Sequence, residues 1–227
     1  MDLKFKLNGL KLSTSKYIKY LGIYLDETLS GKFHCSELIK KLTRSNAMLS
    51  KIRHFVTQEQ LISIYFAIFS SHITYGCQIW GLNKSSAHFK KIEKLQKKAV
   101  RIMSFSPYGA HTEPIFKKYS ILKLKDQITL FNCLFVHDHS RKLLPSTFNN
   151  FFTPCSDLYD TETRRRAGCL FTPQVSTQTY GCQSIKSTTI LAWNNLCETL
   201  DMDLSSIGKF TLKKTLRNHF INSYSDS

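Results

Sequence analysis

The sequence predicts a mostly α fold: a helical bundle with a small antiparallel β hairpin region at its N-terminus. Apolar residues recur at helical spacing in one segment after another from Lys32 onward. Strict alternation of apolar and polar residues, the mark of a half-buried strand, is clear only before Asp26. Glycine and proline are scarce, at nine and five in 227 residues, which excludes collagenous and linker-like architectures.

Each element has its own signal. Leu3-Lys-Phe-Lys-Leu7 alternates, Asn8-Gly9 supplies two residues tolerant of positive φ, and Leu10-Lys11-Leu12 resumes the pattern, which reads as a hairpin. Tyr17 to Leu25 reads as one further strand, so three short strands are expected to share a sheet. Leu38, Leu42, Leu49, Ile52 and Val56 then lie on one stripe of a helix over 32–55. Thr57 and Gln60 have capping-box spacing and open a buried helix over 58–71. Tyr75-Gly76 and Trp80-Gly81 punctuate the stretch after it. Phe89, Ile92, Leu95, Ala99 and Met103 mark the inner face of a helix over 85–103, which Pro107-Tyr-Gly109 ends. Thr112 is expected to cap a short helix with Pro114 in its first turn. Another helix occupies 124–140, before Leu144-Pro145. Residues 146–180, rich in Thr, Ser, Phe, Asn and Pro, read as irregular, and helices over 182–200 and 206–222 close the chain.

Composition bounds the function. With 42% apolar and 12% aromatic residues the chain can bury a core, which excludes wholesale disorder. Thirty-two Lys and Arg against sixteen Asp and Glu leave a net charge of +16. Folding does not require such an excess, so a polyanionic partner is expected. A membrane is not: the best apolar run, Leu61 to Phe69, falls short of the ~20 residues a span requires. Met1 to Leu7 has no signal-peptide core, and seven scattered cysteines do not form a disulfide framework. An intracellular protein of nucleus or cytoplasm, not a secreted one, is expected.

The charge is organised. Lys90, Lys94, Lys97, Lys98 and Arg101 lie on one side of the 85–103 helix, opposite its apolar stripe, with Glu93 the one acid among them. The 32–55 helix repeats the bias with Lys40, Lys41, Arg44, Lys51 and Arg53 against Glu37. The last helix adds Lys209, Lys213, Lys214 and Arg217. A merely solvated face interleaves acids, because like charges four apart repel. Three unbalanced faces point instead to a surface that tracks phosphates, of RNA, DNA or an RNA–DNA hybrid.

Catalytic constellations are not found. Two-metal nucleotidyl transfer needs closely placed carboxylates, and the sequence has no Asp-Asp pair. Asp201-Met-Asp203 reads as a solvated loop. His137-Asp-His139 reads as a helix C-terminus where His suits the dipole. No two cysteines are two to four residues apart, so no zinc site is expected.

Several strings, in order, resemble a known family. Tyr20-Leu-Gly-Ile-Tyr-Leu-Asp26, with Leu29 and His34 after it, is similar to the end of the polymerase palm in LINE-type (non-LTR) retrotransposon reverse transcriptases of the jockey-like group. Ser71-His-Ile-Thr-Tyr-Gly-Cys-Gln-Ile-Trp-Gly81 and Lys94-Leu-Gln-Lys-Lys-Ala-Val-Arg101 resemble the helical region after that palm. Leu144-Pro145, Thr163-Arg164, Tyr180-Gly181, Ser184-Ile185 and Trp193-Asn194 match the tail. Gly31 departs from the family, which commonly has Trp there. The resemblance implies residual palm strands over 1–30, a helical thumb-like domain over 31–145 and a C-terminal extension over 146–227. It implies template–primer binding, with Tyr20, Leu21 and Gly22 as a primer-grip-like turn and Arg164 among the basic contacts. It also implies that fingers, palm and catalytic aspartates lie upstream, as the natural structural partner. The intact family enzyme would use Mg²⁺; this chain is expected to hold no cofactor and to be inactive alone. Two other readings stay open: a helical interaction module with solvated basic faces, and a decayed fragment with no selected function.

Overall fold

The computed structural model describes residues 6–8, 10, 11, 15–158, 168–177 and 181–225. The fold is mostly α. Strands β1 (Lys6–Leu7) and β2 (Leu10–Lys11) pair antiparallel around Asn8, which takes φ +50° as a two-residue hairpin turn requires. The outer parts of that expected hairpin, Leu3 to Phe5, Gly9 and Leu12, lie outside the described residues.

The expected single strand over 17–25 is two strands. β3 (Tyr17–Tyr20) turns back at Leu21-Gly22 and pairs antiparallel with β4 (Ile23–Asp26). Both turn residues have positive φ, +45° and +82°, the geometry of a tight hairpin turn. Leu at the first position gives no turn signal, which is why alternation alone reads straight through it. The two hairpins form separate two-stranded sheets, not one three-stranded sheet.

Helix α1 (Lys32–Ile52) buries His34, Cys35, Leu38, Leu42, Asn46 and Leu49 along one face. Leu42 and Leu49 are wholly buried, each contributing about 1.5–3 kcal/mol from the apolar surface removed from water. Helix α2 (Gln58–Tyr65) opens on the expected capping box, in which Thr57 accepts from the Gln60 N–H and Gln60 accepts from the Thr57 N–H. The chain then widens into a π-helical turn over Phe66–Ser70 and returns to α geometry in α3 (Ser71–Thr74). The Ser45 hydroxyl of α1 donates to the Ile68 carbonyl inside the wide turn at 2.8 Å. A four-residue helix, α4 (Cys77–Trp80), sits between Gly76 and Gly81 and is too short to show a period in sequence.

Helix α5 (Ala87–Met103) starts at Ser86, whose hydroxyl accepts from the Phe89 N–H. It packs parallel to α1: contacts run in the same order along both, from Cys35 with Trp80 just ahead of α5, to Asn46 with Leu95, to Arg53 with Phe105. A parallel pair needs a return crossover, which α2, the π turn, α3 and α4 supply. Helix α6 (Glu113–Lys118) has Pro114 in its first turn. Thr112 does not cap it as expected: its backbone is already helical (φ −94°), so its hydroxyl makes no cap hydrogen bond.

Helices α7 (Leu124–Ser140), α8 (Ile185–Leu200) and α9 (Lys209–Asn222) complete the bundle. Gln96 ties α5 to the start of α7, donating to the Leu122 carbonyl and accepting from the Leu124 N–H. Asn194 of α8 reads the Leu170 backbone in both directions at 2.8 Å, and the Trp193 indole donates to the Gly168 carbonyl. These contacts fix a segment whose strand-like pairing, among the described residues, is the Pro154–Leu170 bridge. One apolar cluster runs from Leu38 through Phe69, Ile92 and Leu124 to Trp193 and Leu216.

Candidate nucleic-acid interface

The Tyr20-Leu21-Gly22 turn stands on a seat made by Tyr75 and Gly76. The Tyr75 hydroxyl donates to the Leu21 carbonyl. Gly76 has φ +58°, and a Cβ there would stand 2.4 Å from Cδ1 of the buried Ile23, so a glycine lets the two segments approach this closely. Behind the turn, Tyr17 stacks on Phe33 with centroids 4.0 Å apart, and Tyr24 meets the same ring edge-on. The hairpin is thus clamped to the start of α1 while its tip stays in solvent, Tyr20 and Leu21 being 64% and 72% exposed.

Asp26 closes the hairpin's other end, accepting from the Ser30 N–H and the Thr28 hydroxyl. Burial opposes its ionisation, but these hydrogen bonds prevail and hold its carboxyl below the usual carboxylate value. Its oxygens are therefore committed to the loop that leads into α1.

On α1, Lys40, Lys41 and Arg44 are exposed. Lys40 pairs with Glu37 at 2.6 Å, while Lys41 lies on the flank that faces His34 and His72. On α5, Lys90, Lys94, Lys97 and Lys98 are all exposed, opposite the buried Phe89, Ile92, Gln96, Ala99 and Met103. Lys91 shares that outer surface, although its spacing did not single it out. None of these α5 lysines has an ion-pair partner among the described residues. The acid among them, Glu93, is half-buried, and burial pushes its carboxyl up against the pull of Lys97, Lys125 and Lys123.

The remaining basic residues differ. Arg101 donates through Nε to the Ala110 carbonyl at 2.7 Å, bracing the loop after α5. Arg217 of α9 donates to the Ser120 carbonyl, joining α9 to the loop between α6 and α7. A guanidinium has five N–H donors, so neither bond uses up its side chain, but both arginines have a structural task. Lys213 is exposed on α9. Arg164 lies outside the described residues, as do Thr163 and Tyr180 of the tail strings.

Sequence reasoning passed over Tyr75 and Gly76, whose only signal is the Tyr-Gly pair noted as punctuation, and His72, which a lone histidine does not announce. Among the described residues no group of three or more His, Cys, Asp or Glu is placed to hold a metal ion. No helix among them is long and apolar enough to cross a membrane. His137 is buried, with Nε2 2.9 Å from the Ile207 carbonyl, so it joins α7 to the loop before α9.

Comparison with known proteins places this surface in context. The chain is 30% identical over 125 residues to the RNA-directed DNA polymerase from mobile element jockey of Drosophila melanogaster, and 29% identical over 126 residues to that of Drosophila funebris. Each match covers 54% of this chain and 14% of the relative. It is 28% identical over 142 residues to the probable RNA-directed DNA polymerase from transposon X-element of Drosophila melanogaster, covering 60% of this chain and 15% of the relative. No protein-family model and no solved structure matches the chain. The chain is therefore related in sequence to the jockey-like RNA-directed DNA polymerases of LINE-type, non-LTR retrotransposons, over a segment that spans 14 or 15% of their length.

Proposed function

We propose that this chain is a thumb-side piece of a non-LTR reverse transcriptase that holds a template–primer duplex by its backbone. The observation that carries the reading is the outer face of α5, where Lys90, Lys94, Lys97 and Lys98 are exposed without a carboxylate partner among the described residues. Such a face fixes register along a duplex without reading sequence. The exposed tip at Tyr20-Leu21-Gly22 suits contact with a primer strand, because its backbone is held from behind by Tyr75. Its relatives' names describe RNA-directed DNA polymerases, so an RNA–DNA hybrid is the partner of first choice. In this proposal the catalytic carboxylates and their Mg²⁺ belong to palm and fingers outside these 227 residues, these residues alone do not polymerise, and they work in the nucleus or cytoplasm.

A salt titration of binding to a labelled RNA–DNA hybrid, with heparin as competitor, tests this. Binding should weaken steeply with salt, log affinity falling by about 0.9 per phosphate neutralised on B-form DNA and by less on other forms. A variant with Lys90, Lys94 and Lys98 all changed to Glu should bind weakly with a shallower slope. Binding left unchanged in that variant would reduce the effect to bulk charge. No binding at low salt would sink the reading and leave a protein-interaction module.

A further inference from the structure

The β3–β4 turn, α1 and α3 enclose a cavity of about 230 Å³ whose lining includes Gly22, His34, Glu37, Lys41, His72 and Tyr75. Its rim is fixed, since Tyr75 bonds the Leu21 carbonyl and its ring would stand 3.5 Å from a Cβ at Gly22. Its charge is positive. Glu37 is the one carboxylate in the lining and is already paired with Lys40. That hydrogen bond first, then the fields of Lys40, Arg44 and Lys41, hold Glu37 below its ordinary value. Lys41 itself has no ion-pair partner among the described residues.

Two imidazoles complete the wall. His34 accepts the Tyr24 N–H at Nδ1 (3.3 Å), so its neutral form carries the proton on Nε2 as a donor. Burial first, then Lys41, holds both His34 and His72 below the usual imidazole value. The other titratable groups in the lining are Glu37 and Lys41 from α1, Tyr24 from β4 and Tyr75; Lys41 is the charge that acts on both rings, and Glu37 is spent on Lys40. With Glu37 already paired to Lys40, the cavity offers no free carboxylate to the ammonium of Lys41 and the imidazole donors.

We propose that this cavity seats a single phosphate group of the bound nucleic-acid strand, held by Lys41 and by the ring N–H groups of His34 and His72. The proposal rests on the nucleic-acid reading and gives it one specific contact, where the α5 face supplies only diffuse attraction. Burial first, then the Lys41 field, keeps the imidazoles neutral; an anion beside them favours their charged forms, so binding raises their pKa. By linkage, binding then tightens as pH falls from the raised imidazole values of the complex toward the lowered values of the free protein.

The test follows the His34 and His72 Cε1–H resonances of the full chain by NMR at fixed ionic strength. Inorganic phosphate serves as probe for a terminal phosphate and dimethyl phosphate for an internal diester. Saturable shifts of these resonances, with a raised apparent pKa, are expected from at least one probe, and which one responds assigns the strand position. Lys41→Gln should weaken that affinity by about tenfold, the loss of one charge-assisted contact. His72→Asn should weaken it as well, and Lys142→Gln, on the exposed turn after α7, should not. Resonances that ignore both probes while the hybrid still binds would overturn the cavity site and leave the α5 reading standing. A phosphate response in a chain that does not bind the hybrid would overturn the assignment to a nucleic-acid strand.

Discussion

Helices α5 and α9 look alike in sequence, each carrying several basic residues with at most one acid, and the fold uses them differently. On α5 the lysines project into solvent without carboxylate partners among the described residues. On α9, Lys209 pairs with Asp138 at 2.7 Å and Arg217 bonds the Ser120 carbonyl. Beside it Arg141 donates to the Ser205 and Ser206 carbonyls, and His137 meets Ile207. Lys209, Arg217 and Arg141 thus act as rivets between α7, α9 and neighbouring loops, whereas the α5 lysines, unlike Arg101, remain available to a partner. Charge pattern alone does not separate the two uses; neighbouring carbonyls and carboxylates do.

The contrast between the helices breaks most visibly under charge reversal. Changing Lys90, Lys94 and Lys98 to Glu should lower the log–log salt slope of hybrid binding by about 2 to 3 if each meets one phosphate of a B-like duplex. Its unfolding midpoint should hardly move, because exposed substitutions usually stay within about 0.5 kcal/mol each. The next effect couples stability to binding: Gly76→Ala forces a Cβ into Ile23 at positive φ and should cost about 1–2 kcal/mol in urea unfolding. It should also loosen hybrid binding, because the Leu21-Gly22 tip loses its seat.

Arg217→Gln should show the opposite profile from the α5 variant. A loss of about 1 kcal/mol of stability is expected, with hybrid affinity close to that of the parent chain. An Arg217 variant that keeps its stability and loses binding would erase the distinction between the helices.

The smallest effect is expected at Glu113, in the first turn of α6, which accepts from Lys123 and Ser225. Those hydrogen bonds lower its pKa from 4.5 to about 2. The folded value lies below the unfolded one, so the contribution is full above about pH 4.5 and is lost as pH falls toward 2. Glu113→Gln should cost a few tenths of a kcal/mol at neutral pH, since the group is part-exposed, and nothing near pH 2. Parallel unfolding curves for the two chains at both pH values check this.

Much of the helical frame was legible, because α1, α5 and α7 each run for four turns or more and their apolar residues keep one period. The Thr57–Gln60 box was legible for the same reason, being a local pattern with a local cause. Contacts distant in sequence were not. Tyr75 meets Leu21 across 54 positions, and only the fold brings them together. Thr112 had a capping residue's chemistry in a backbone that cannot use it, and Leu21 turned where its side chain gives no warning. The cationic face of α5 could be read from spacing; that Arg101 and Arg217 also brace loops could not.

The parallel arrangement of α1 and α5 bears on how this surface can be isolated. Helices that run the same way cannot be excised as a two-helix hairpin, since a short loop joins only antiparallel neighbours. The stretch between them is the return path that sets one beside the other, and it carries Tyr75, Gly76 and His72. A minimal piece that preserves the basic surface must therefore run unbroken from Tyr17 to Met103. A synthetic peptide of α5 alone would keep the lysines and forfeit their alignment.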